Sequence, residues 1–176
     1  MKIRNEYKNL GVDQFYELNK NTYENPHSDI IEKHLEHLIK TEYLNKTNKI
    51  LDLCCGTGQV SIPLKNRSFN FLEGCDPYTF EEYKKRTGLN AYNFNFFNLL
   101  SGSLGSKSYD TIICSFALHL APLSILPDLL YQLSIVSDKL IIISPHKNPA
   151  INFHWQEIYN YKDSRVHTRV FKKNNC

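Results

Sequence analysis

The chain has 176 residues, of which 41% are hydrophobic and 22% are charged, and its formal net charge at pH 7 is +3. This length predicts one globular domain with a sizeable core, and the charge is too small to indicate nucleic-acid binding by itself. The longest apolar stretch, 123–144, contains charged residues and a proline, which excludes a membrane span there. The five cysteines lack C-x-x-C spacing, so we expect reduced thiols, a cytoplasmic location and no metal.

The N-terminal part of the chain, residues 1–28, is polar and aromatic, and we interpret it as an extension that folds over a ligand as a lid. Residues 29–176 are predicted to form the main domain. Asp29, followed three residues later by Glu32, matches a capping box. The apolar spacing after it predicts an amphipathic helix that ends near Leu44.

A turn rich in small residues follows a short apolar strand predicted over 49–53. It reads Asp52-Leu53-Cys54-Cys55-Gly56-Thr57-Gly58, and a helix is expected to begin near Gly58. A second predicted strand, 69–75, ends at Asp76, eighteen residues after Gly58. An acidic residue at this distance suits hydrogen bonding to the two hydroxyls of a ribose. The pattern therefore predicts a site for a nucleoside-containing cofactor.

Strand and helix patterns alternate through the rest of the chain, which is typical of an α/β fold. A capping box of Thr79 and Glu82 predicts a short helix that ends at Gly88. The further predicted elements are a strand over 91–97, a strand over 110–115, a helix over 121–136, a strand over 139–144, and an antiparallel hairpin of 153–160 and 165–172.

The glycine turn discriminates between cofactor classes. A dinucleotide-binding turn has a third glycine where this chain has Ser61, and a phosphate-binding loop has Lys-Ser or Lys-Thr where this chain has Gln59-Val60. What remains resembles the D-x-G-x-G-x-G turn of class I S-adenosylmethionine-dependent methyltransferases, with Cys54 in place of the first glycine. Because cysteine restricts positive φ angles, we expect Gly56 and Gly58 to provide the close backbone approach.

The resemblance implies a three-layer Rossmann-like sandwich with a mostly parallel seven-stranded sheet in the order 3-2-1-4-5-7-6 and a C-terminal antiparallel hairpin. Only some eight residues, 145–152, lie where such proteins place a helix between strands five and six, so that helix is expected to be lost or reduced. The runs 76–79, 114–120 and 144–147 are also similar to those of an uncharacterised group of small methyltransferase-like proteins.

The resemblance also implies S-adenosyl-L-methionine as the cofactor. The turn would contact its methionine end, Asp76 its ribose, and Asn98 the adenine, with Asn95 as the alternative to Asn98 because the strand register is open. Ligands in such sheets lie beyond the carboxyl ends of the strands, which adds further residues to this edge. The predicted cofactor-binding residues are Asp52, Cys54, Cys55, Gly56, Thr57, Gly58, Asp76, Pro77, Tyr78, Asn98, Ser115 and Tyr23.

Three histidines are candidates for a general base, because imidazole titrates near neutral pH. His119 follows the fourth strand, His146 follows the fifth, and His27 ends the N-terminal extension. Cys55 and Cys114 are interpreted as packing residues rather than nucleophiles, because no basic residue adjoins either of them in the sequence.

The methyl acceptor is left open by the sequence. A small molecule is the leading hypothesis, because the chain has no room for a recognition domain. RNA or protein is the alternative, with the basic runs 84–86 and 165–173 as docking surface. On the hairpin, Arg165, His167 and Arg169 would share a strand face, for which a solvated edge strand is the simpler explanation. A third hypothesis is a non-catalytic methyltransferase-like subunit.

Overall fold

The computed structural model describes residues 27–145, 149–152 and 154–174. Short strands and helices alternate along these residues. The helices are α1 Ser28–Lys40, α2 Ser61–Asn66, α3 Phe80–Thr87, α4 Phe96–Leu100 and α5 Leu126–Val136, with a single 3-10 turn at Leu118–Leu120. The strands are β1 Ile50–Leu53, β2 Leu72–Cys75, β3 Ala91–Tyr92, β4 Thr111–Ser115, β5 Lys139–Ser144, β6 Trp155–Asp163 and β7 Val166–Lys173.

The seven strands form one sheet in the order β3-β2-β1-β4-β5-β7-β6, which confirms the predicted α/β sandwich and its strand order. Strands β1 to β5 are parallel, while β7 is antiparallel to both β5 and β6. Every residue of β1 and β4 is buried, because helices cover both faces of the sheet. Leu133 of α5 and Leu53 lie in the core on one face, and Ile31 of α1 and Ile113 lie in the core on the other.

Helix α1 is attached to the C-terminal hairpin by two histidines. The Nδ1 atom of buried His34 lies 2.6 Å from the hydroxyl of Thr168, and Nε2 of His37 lies 2.7 Å from the hydroxyl of Tyr159. The His37 ring also stacks on Tyr161 with a centroid distance of 3.6 Å. Both histidines therefore have packing roles.

Several predicted boundaries are wrong, and side-chain hydrogen bonds explain one of them. The third strand was expected to run to 97 but ends at Tyr92, because Asn95 and Asn98 form a reciprocal capping box that begins α4. Helix α1 has His27 at its cap position without a side-chain cap, so the capping box at Asp29 is not formed, and the helix ends at Lys40.

The C-terminal hairpin corrects the prediction of a shared basic face. Strand β7 lies between β5 and β6, so it is not the solvated edge strand that was expected. His167 and Arg169 are buried, with 9% and 5% of their surface exposed, while Arg165 lies in the turn and outside β7. The edge strand on this side of the sheet is β6. The hairpin therefore presents no row of three exposed basic residues.

Between Ser144 and Trp155 the structure describes residues 145, 149–152 and 154, and these form no helix. The loss or reduction of the helix in this segment stays a prediction. None of the helices in the described ranges is both long enough and apolar enough to cross a membrane.

Candidate functional site

The carboxylate of Asp76 joins the two parts of the predicted site. Its Oδ2 accepts a hydrogen bond from the backbone N–H of Gly56 at 3.2 Å. Its Oδ1 accepts from the N–H groups of Tyr78 and Thr79, both at 2.9 Å. Burial raises the pKa of Asp76, and these backbone hydrogen bonds oppose that rise. The acid and the glycine turn, separated in sequence, are therefore adjacent at the carboxyl ends of β1 and β2.

The backbone of the turn is in the left-handed region at three positions. Cys54 has φ +56°, Gly56 has φ +53° and Gly58 has φ +101°. Cysteine does adopt the conformation that we expected it to restrict, at a cost of roughly 1–2 kcal/mol. A hydrogen bond with Cys114 raises the pKa of the Cys54 thiol well above its ordinary value, and burial is the second cause of this rise. The shape of the turn is thus set by its surroundings and not by local preference alone.

A chain of hydrogen bonds lies directly behind the turn. The Tyr83 hydroxyl donates to Ser61 Oγ at 2.8 Å, and Ser61 Oγ donates to Asp52 Oδ2 at 2.8 Å. Glycine at position 74 makes room for this chain, because a Cβ there would lie 2.8 Å from the Tyr83 ring. The other carboxylate oxygen of Asp52, Oδ1, has no hydrogen-bond partner in the part of the chain that the structure describes. Asp52 therefore has one buried oxygen that is open to a hydrogen bond with a ligand.

Asp52 is 1% exposed, and burial raises its pKa to about 8. The hydrogen bond from Ser61 opposes this rise, and the neighbouring carboxylate of Asp76 adds to it. Because the ordinary aspartate pKa is about 3.9, the ligand-free folded protein binds a proton here that the unfolded chain releases. Asp52 thus links the stability of the ligand-free protein to pH.

The pH dependence predicts a result for Asp52→Asn. Between about pH 4 and about pH 8, the wild type should lose stability as pH rises, by at most about 1.4 kcal/mol per pH unit from this group. The asparagine does not titrate, so the melting temperature of the variant should rise relative to the wild type across this range, by roughly 2–4 °C for each kcal/mol. Thermal unfolding of both proteins at several pH values measures this difference. Melting curves that stay parallel at every pH would contradict the raised pKa.

The remaining turn residues are engaged by neighbouring side chains. The buried Thr57 hydroxyl accepts from Arg86 Nη1 at 2.9 Å and from Gln59 Nε2 at 2.8 Å. The Cys55 thiol is buried, and this burial raises its pKa well above the ordinary value. A neutral buried thiol is a poor nucleophile, so Cys55 has the packing role that its sequence context indicated. The four cysteines among the described residues are free thiols.

Asn98 and Asn95 lie at the start of α4, beyond β3. Asn98 Oδ1 accepts from the Asn95 N–H at 3.0 Å, and Asn95 Oδ1 accepts from the Asn98 N–H at 2.9 Å. These bonds use the amide oxygens that a contact with adenine was expected to use. The adenine role of Asn98 stays a prediction, and the capping role is what the geometry shows.

Strand β4 pairs with β1, so the residues that follow β4 lie beside the turn that follows β1. Ser115 is buried, and Phe116, which follows it, has φ +54° and stacks on the His27 ring with a centroid distance of 4.3 Å. Burial lowers the pKa of His27. His119 lies nearby in sequence, on the 3-10 turn, with an exposed side chain. Tyr23 and His146 lie outside the described residues.

Phe116 has a strained backbone that the sequence did not indicate. A strained backbone at the tip of a buried strand is a frequent mark of a functional site. The signal in the sequence is weak, because a phenylalanine after an apolar strand reads as core. Pro77 and Tyr78 follow Asp76 as predicted, with half-buried side chains. Among the residues that the structure describes, no group of three or more histidine, cysteine, aspartate or glutamate side chains is arranged to hold a metal ion.

Comparison of the sequence with known proteins places the chain near one relative. No family model matches the chain. The uncharacterised protein C17A5.05c of Schizosaccharomyces pombe is 28% identical over an alignment of 222 positions, which covers 94% of this chain and 90% of the relative. The similarity therefore extends over almost the whole of both proteins.

Comparison with solved structures identifies the fold. Magnesium protoporphyrin IX methyltransferase (ChlM) from Synechocystis PCC 6803 with bound SAH has a TM-score of 0.67 at 15% identity, covering 98% of both chains. The N-methyltransferase NodS from Bradyrhizobium japonicum WM9, in complex with S-adenosyl-L-homocysteine, has a TM-score of 0.66 at 11% identity, covering 92% of this chain and 98% of NodS. An rRNA methylase from Escherichia coli has a TM-score of 0.61 at 11% identity, covering 84% of this chain and 65% of the methylase. The chain has the fold of the class I S-adenosylmethionine-dependent methyltransferases.

Proposed function

We propose that this protein binds S-adenosyl-L-methionine at the carboxyl ends of β1 and β2 and transfers its methyl group to a small-molecule acceptor. The observation that carries the proposal is the buried Asp76 carboxylate, hydrogen bonded to Gly56 of the turn at 3.2 Å. ChlM and NodS, which share the fold, have been solved with SAH. An adenosyl cofactor suits this pair, because the two hydroxyl donors of its ribose would meet the carboxylate while the methionine end would meet the turn.

The polar groups of the crevice fit this cofactor. An ionised carboxylate offers about four acceptor positions, and Asp76 uses three of them for backbone N–H groups. Capacity for a ribose hydroxyl therefore remains on a group that the turn already orients. The buried Oδ1 of Asp52, which has no partner among the described residues, is a second acceptor once Asp52 has released its proton, and it then suits an ammonium group. We assign both carboxylates to cofactor binding.

S-adenosylmethionine supplies a methyl group on a positively charged sulfur atom, so the protein needs no nucleophile of its own. Its residues have to orient the acceptor and exclude water, and alignment of this kind can supply about 7–11 kcal/mol. A general base adds roughly 10²–10⁴-fold for an amine or hydroxyl acceptor. Burial lowers the pKa of His27, which favours the neutral form of its imidazole. His119 and His146 remain the other candidates.

The surface favours a small acceptor over RNA. In the basic run of α3, Lys84 Nζ lies 3.2 Å from Glu81 and Lys85 Nζ lies 3.7 Å from Glu82, so acidic side chains partly neutralise it. Arg86 donates to Thr57. The buried basic residues of β7 are not accessible to a phosphate backbone. Arg165 and Lys172 are the exposed basic residues of the second run, so few cations of this run are accessible to RNA.

The test is transfer of a labelled methyl group into a cell extract that has been separated by size. We expect the purified protein to place label in the small-molecule fraction, and Asp76→Ala to abolish this transfer. Label in RNA or protein would overturn the assignment of the acceptor. Tight S-adenosylmethionine binding with no transfer to any fraction would instead favour a non-catalytic subunit.

A further inference from the structure

Three of the four cysteines among the described residues lie at the tips of adjacent strands, around the start of the turn. Cys54 directly follows Leu53, the last residue of β1. Leu53 pairs with Cys75 of β2 on one side and with Cys114 of β4 on the other. Cys75 and Cys114 are buried, while Cys54 is only half-buried. A small molecule in solution can therefore reach the middle one of the three thiols.

The left-handed backbone of Cys54 accompanies the placement of its thiol beside Cys114. Successive residues of a strand point to opposite faces of the sheet. Cys54 nevertheless packs against the core cluster that contains both Leu53 and Cys114, and it does so with φ +56°. The thiols of Cys54 and Cys114 share a hydrogen bond. The strained conformation thus coincides with a contact between two thiols.

The spacing of these two cysteines suits a disulfide bond. Adjacent strands lie about 4.8 Å apart and a strand rises about 3.3 Å per residue, which places the Cα atoms of Cys54 and Cys114 about 5.8 Å apart. Disulfide-bonded cysteines have Cα separations of about 4.4–6.8 Å. Cys75 has the same offset from Cys54, but its thiol donates to the carbonyl oxygen of Phe94 at 3.5 Å. Cys114 is therefore the partner that the structure presents to Cys54.

We propose that Cys54 and Cys114 form a reversible oxidation site and that their disulfide closes the cofactor site. This inference rests on the proposed function, because Cys54 begins the turn whose Gly56 donates to Asp76. A covalent bond is shorter than the hydrogen bond that it replaces, so it would draw the start of the turn toward β4. Strands β4 and β2 lie on opposite sides of β1, so this movement leads away from Asp76.

The oxidant is a peroxide. One peroxide oxygen bonds to the Cys54 sulfur and gives a sulfenic acid, while the other oxygen leaves as water with the thiol proton. The Cys114 sulfur then attacks the Cys54 sulfur, the S–S bond forms, and the hydroxyl leaves as a second water with the Cys114 proton. The two thiols lose two electrons, which the peroxide gains. The raised pKa of Cys54 keeps its thiol protonated at neutral pH, so the reaction is slow and needs excess peroxide.

Peptide mapping of the full chain tests the pair. After treatment with excess hydrogen peroxide and digestion without reductant, mass spectrometry should find the peptides of Cys54 and Cys114 joined, with two hydrogen atoms lost. Dithiothreitol should separate them. Calorimetric titration with S-adenosylhomocysteine should show binding at least about tenfold weaker after oxidation, and recovery to within about twofold of the reduced protein after dithiothreitol.

Matched variants assign the effect to Cys114. Cys114→Ala should give no joined peptides and should leave a sulfenic acid on Cys54 that dimedone labels. Cys54→Ser should show neither the joined peptides nor this label. Cys75→Ala, the same change on the other neighbouring strand, should still form the link and lose affinity on oxidation. Before oxidation, both alanine variants should bind S-adenosylhomocysteine within about twofold of the wild type.

Three results would overturn the inference: an oxidised wild type without the link, a link from Cys54 to Cys75, and a linked protein with unchanged affinity for S-adenosylhomocysteine. The reduced wild type separates this inference from the proposed function. If it forms the link on oxidation but does not bind S-adenosylhomocysteine, the oxidation site is supported and the cofactor assignment is removed. If it binds that compound and forms no link, the proposed function is retained and the oxidation site is removed.

Discussion

Asp76→Ala should weaken S-adenosylmethionine binding by roughly 10–150-fold, because a hydrogen bond from a ribose hydroxyl to a buried carboxylate contributes roughly 1.5–3 kcal/mol. The same change should lower the stability of the protein, because the N–H groups of Gly56, Tyr78 and Thr79 lose their acceptor. Isothermal titration calorimetry measures the affinity, and thermal unfolding measures the stability.

Asp110→Ala is the matched control for this prediction. Asp110 also accepts a hydrogen bond from a backbone N–H, that of Lys49 at 2.6 Å, but it lies at the amino end of β4. This variant should lose stability and retain full affinity. Asp76→Asn keeps the size of the side chain and removes its charge, so it should fold closer to the wild type and still bind weakly. Affinity that is unchanged in both Asp76 variants would contradict the role given to this carboxylate.

Gly58→Ala should lower the free energy of unfolding by roughly 2–4 kcal/mol, or the melting temperature by about 4–16 °C. Gly58 has φ +101°, and a Cβ at this position would lie 2.8 Å from Thr87 Cγ2 and 3.2 Å from Ile62 Cδ1. The added methyl group would therefore clash with side chains of both α2 and α3, and this clash adds to the backbone strain. Denaturant titration of wild type and variant measures the difference in unfolding free energy.

Gly105→Ala isolates the backbone contribution to that loss. Gly105 has φ +59°, and a Cβ there would meet no atom within 4 Å, so its replacement should cost only about 1 kcal/mol. Thr87→Ser removes the clashing methyl group and retains the hydroxyl that donates to Tyr83 O. The double variant with Gly58→Ala should recover part of the loss. Equal losses for the two glycine variants would show that packing at Gly58 is unimportant.

The glycine turn and Asp76 could be located from the sequence because local chemistry determines them. A small-residue turn after an apolar strand, with an acid at the tip of the next strand, is typical of a nucleoside-binding site. In the structure, Gly56 and Asp76 are in hydrogen-bond contact. The α/β class was also predictable, because strand and helix patterns alternate along the chain. The strand order came instead from the resemblance of the turn to that of class I methyltransferases, and the structure confirms it.

The errors arose where long-range packing decides the outcome. Nothing near Arg169 in the sequence indicates burial, since only its place between β5 and β6 removes it from water. The strained φ of Phe116 is likewise invisible, because phenylalanine has no preference for that conformation. Strand β3 ends earlier than predicted, because the side chains of Asn95 and Asn98 each accept a hydrogen bond from the other's backbone and begin α4.

A crystal structure of the protein grown with S-adenosylhomocysteine tests the central proposal most directly. We expect the nucleoside to lie at the carboxyl ends of β1 and β2, with a ribose hydroxyl donating to the Asp76 carboxylate. A crevice that stays empty at saturating ligand, or a nucleoside bound away from Asp76, would contradict the proposed methyl transfer and leave only the fold.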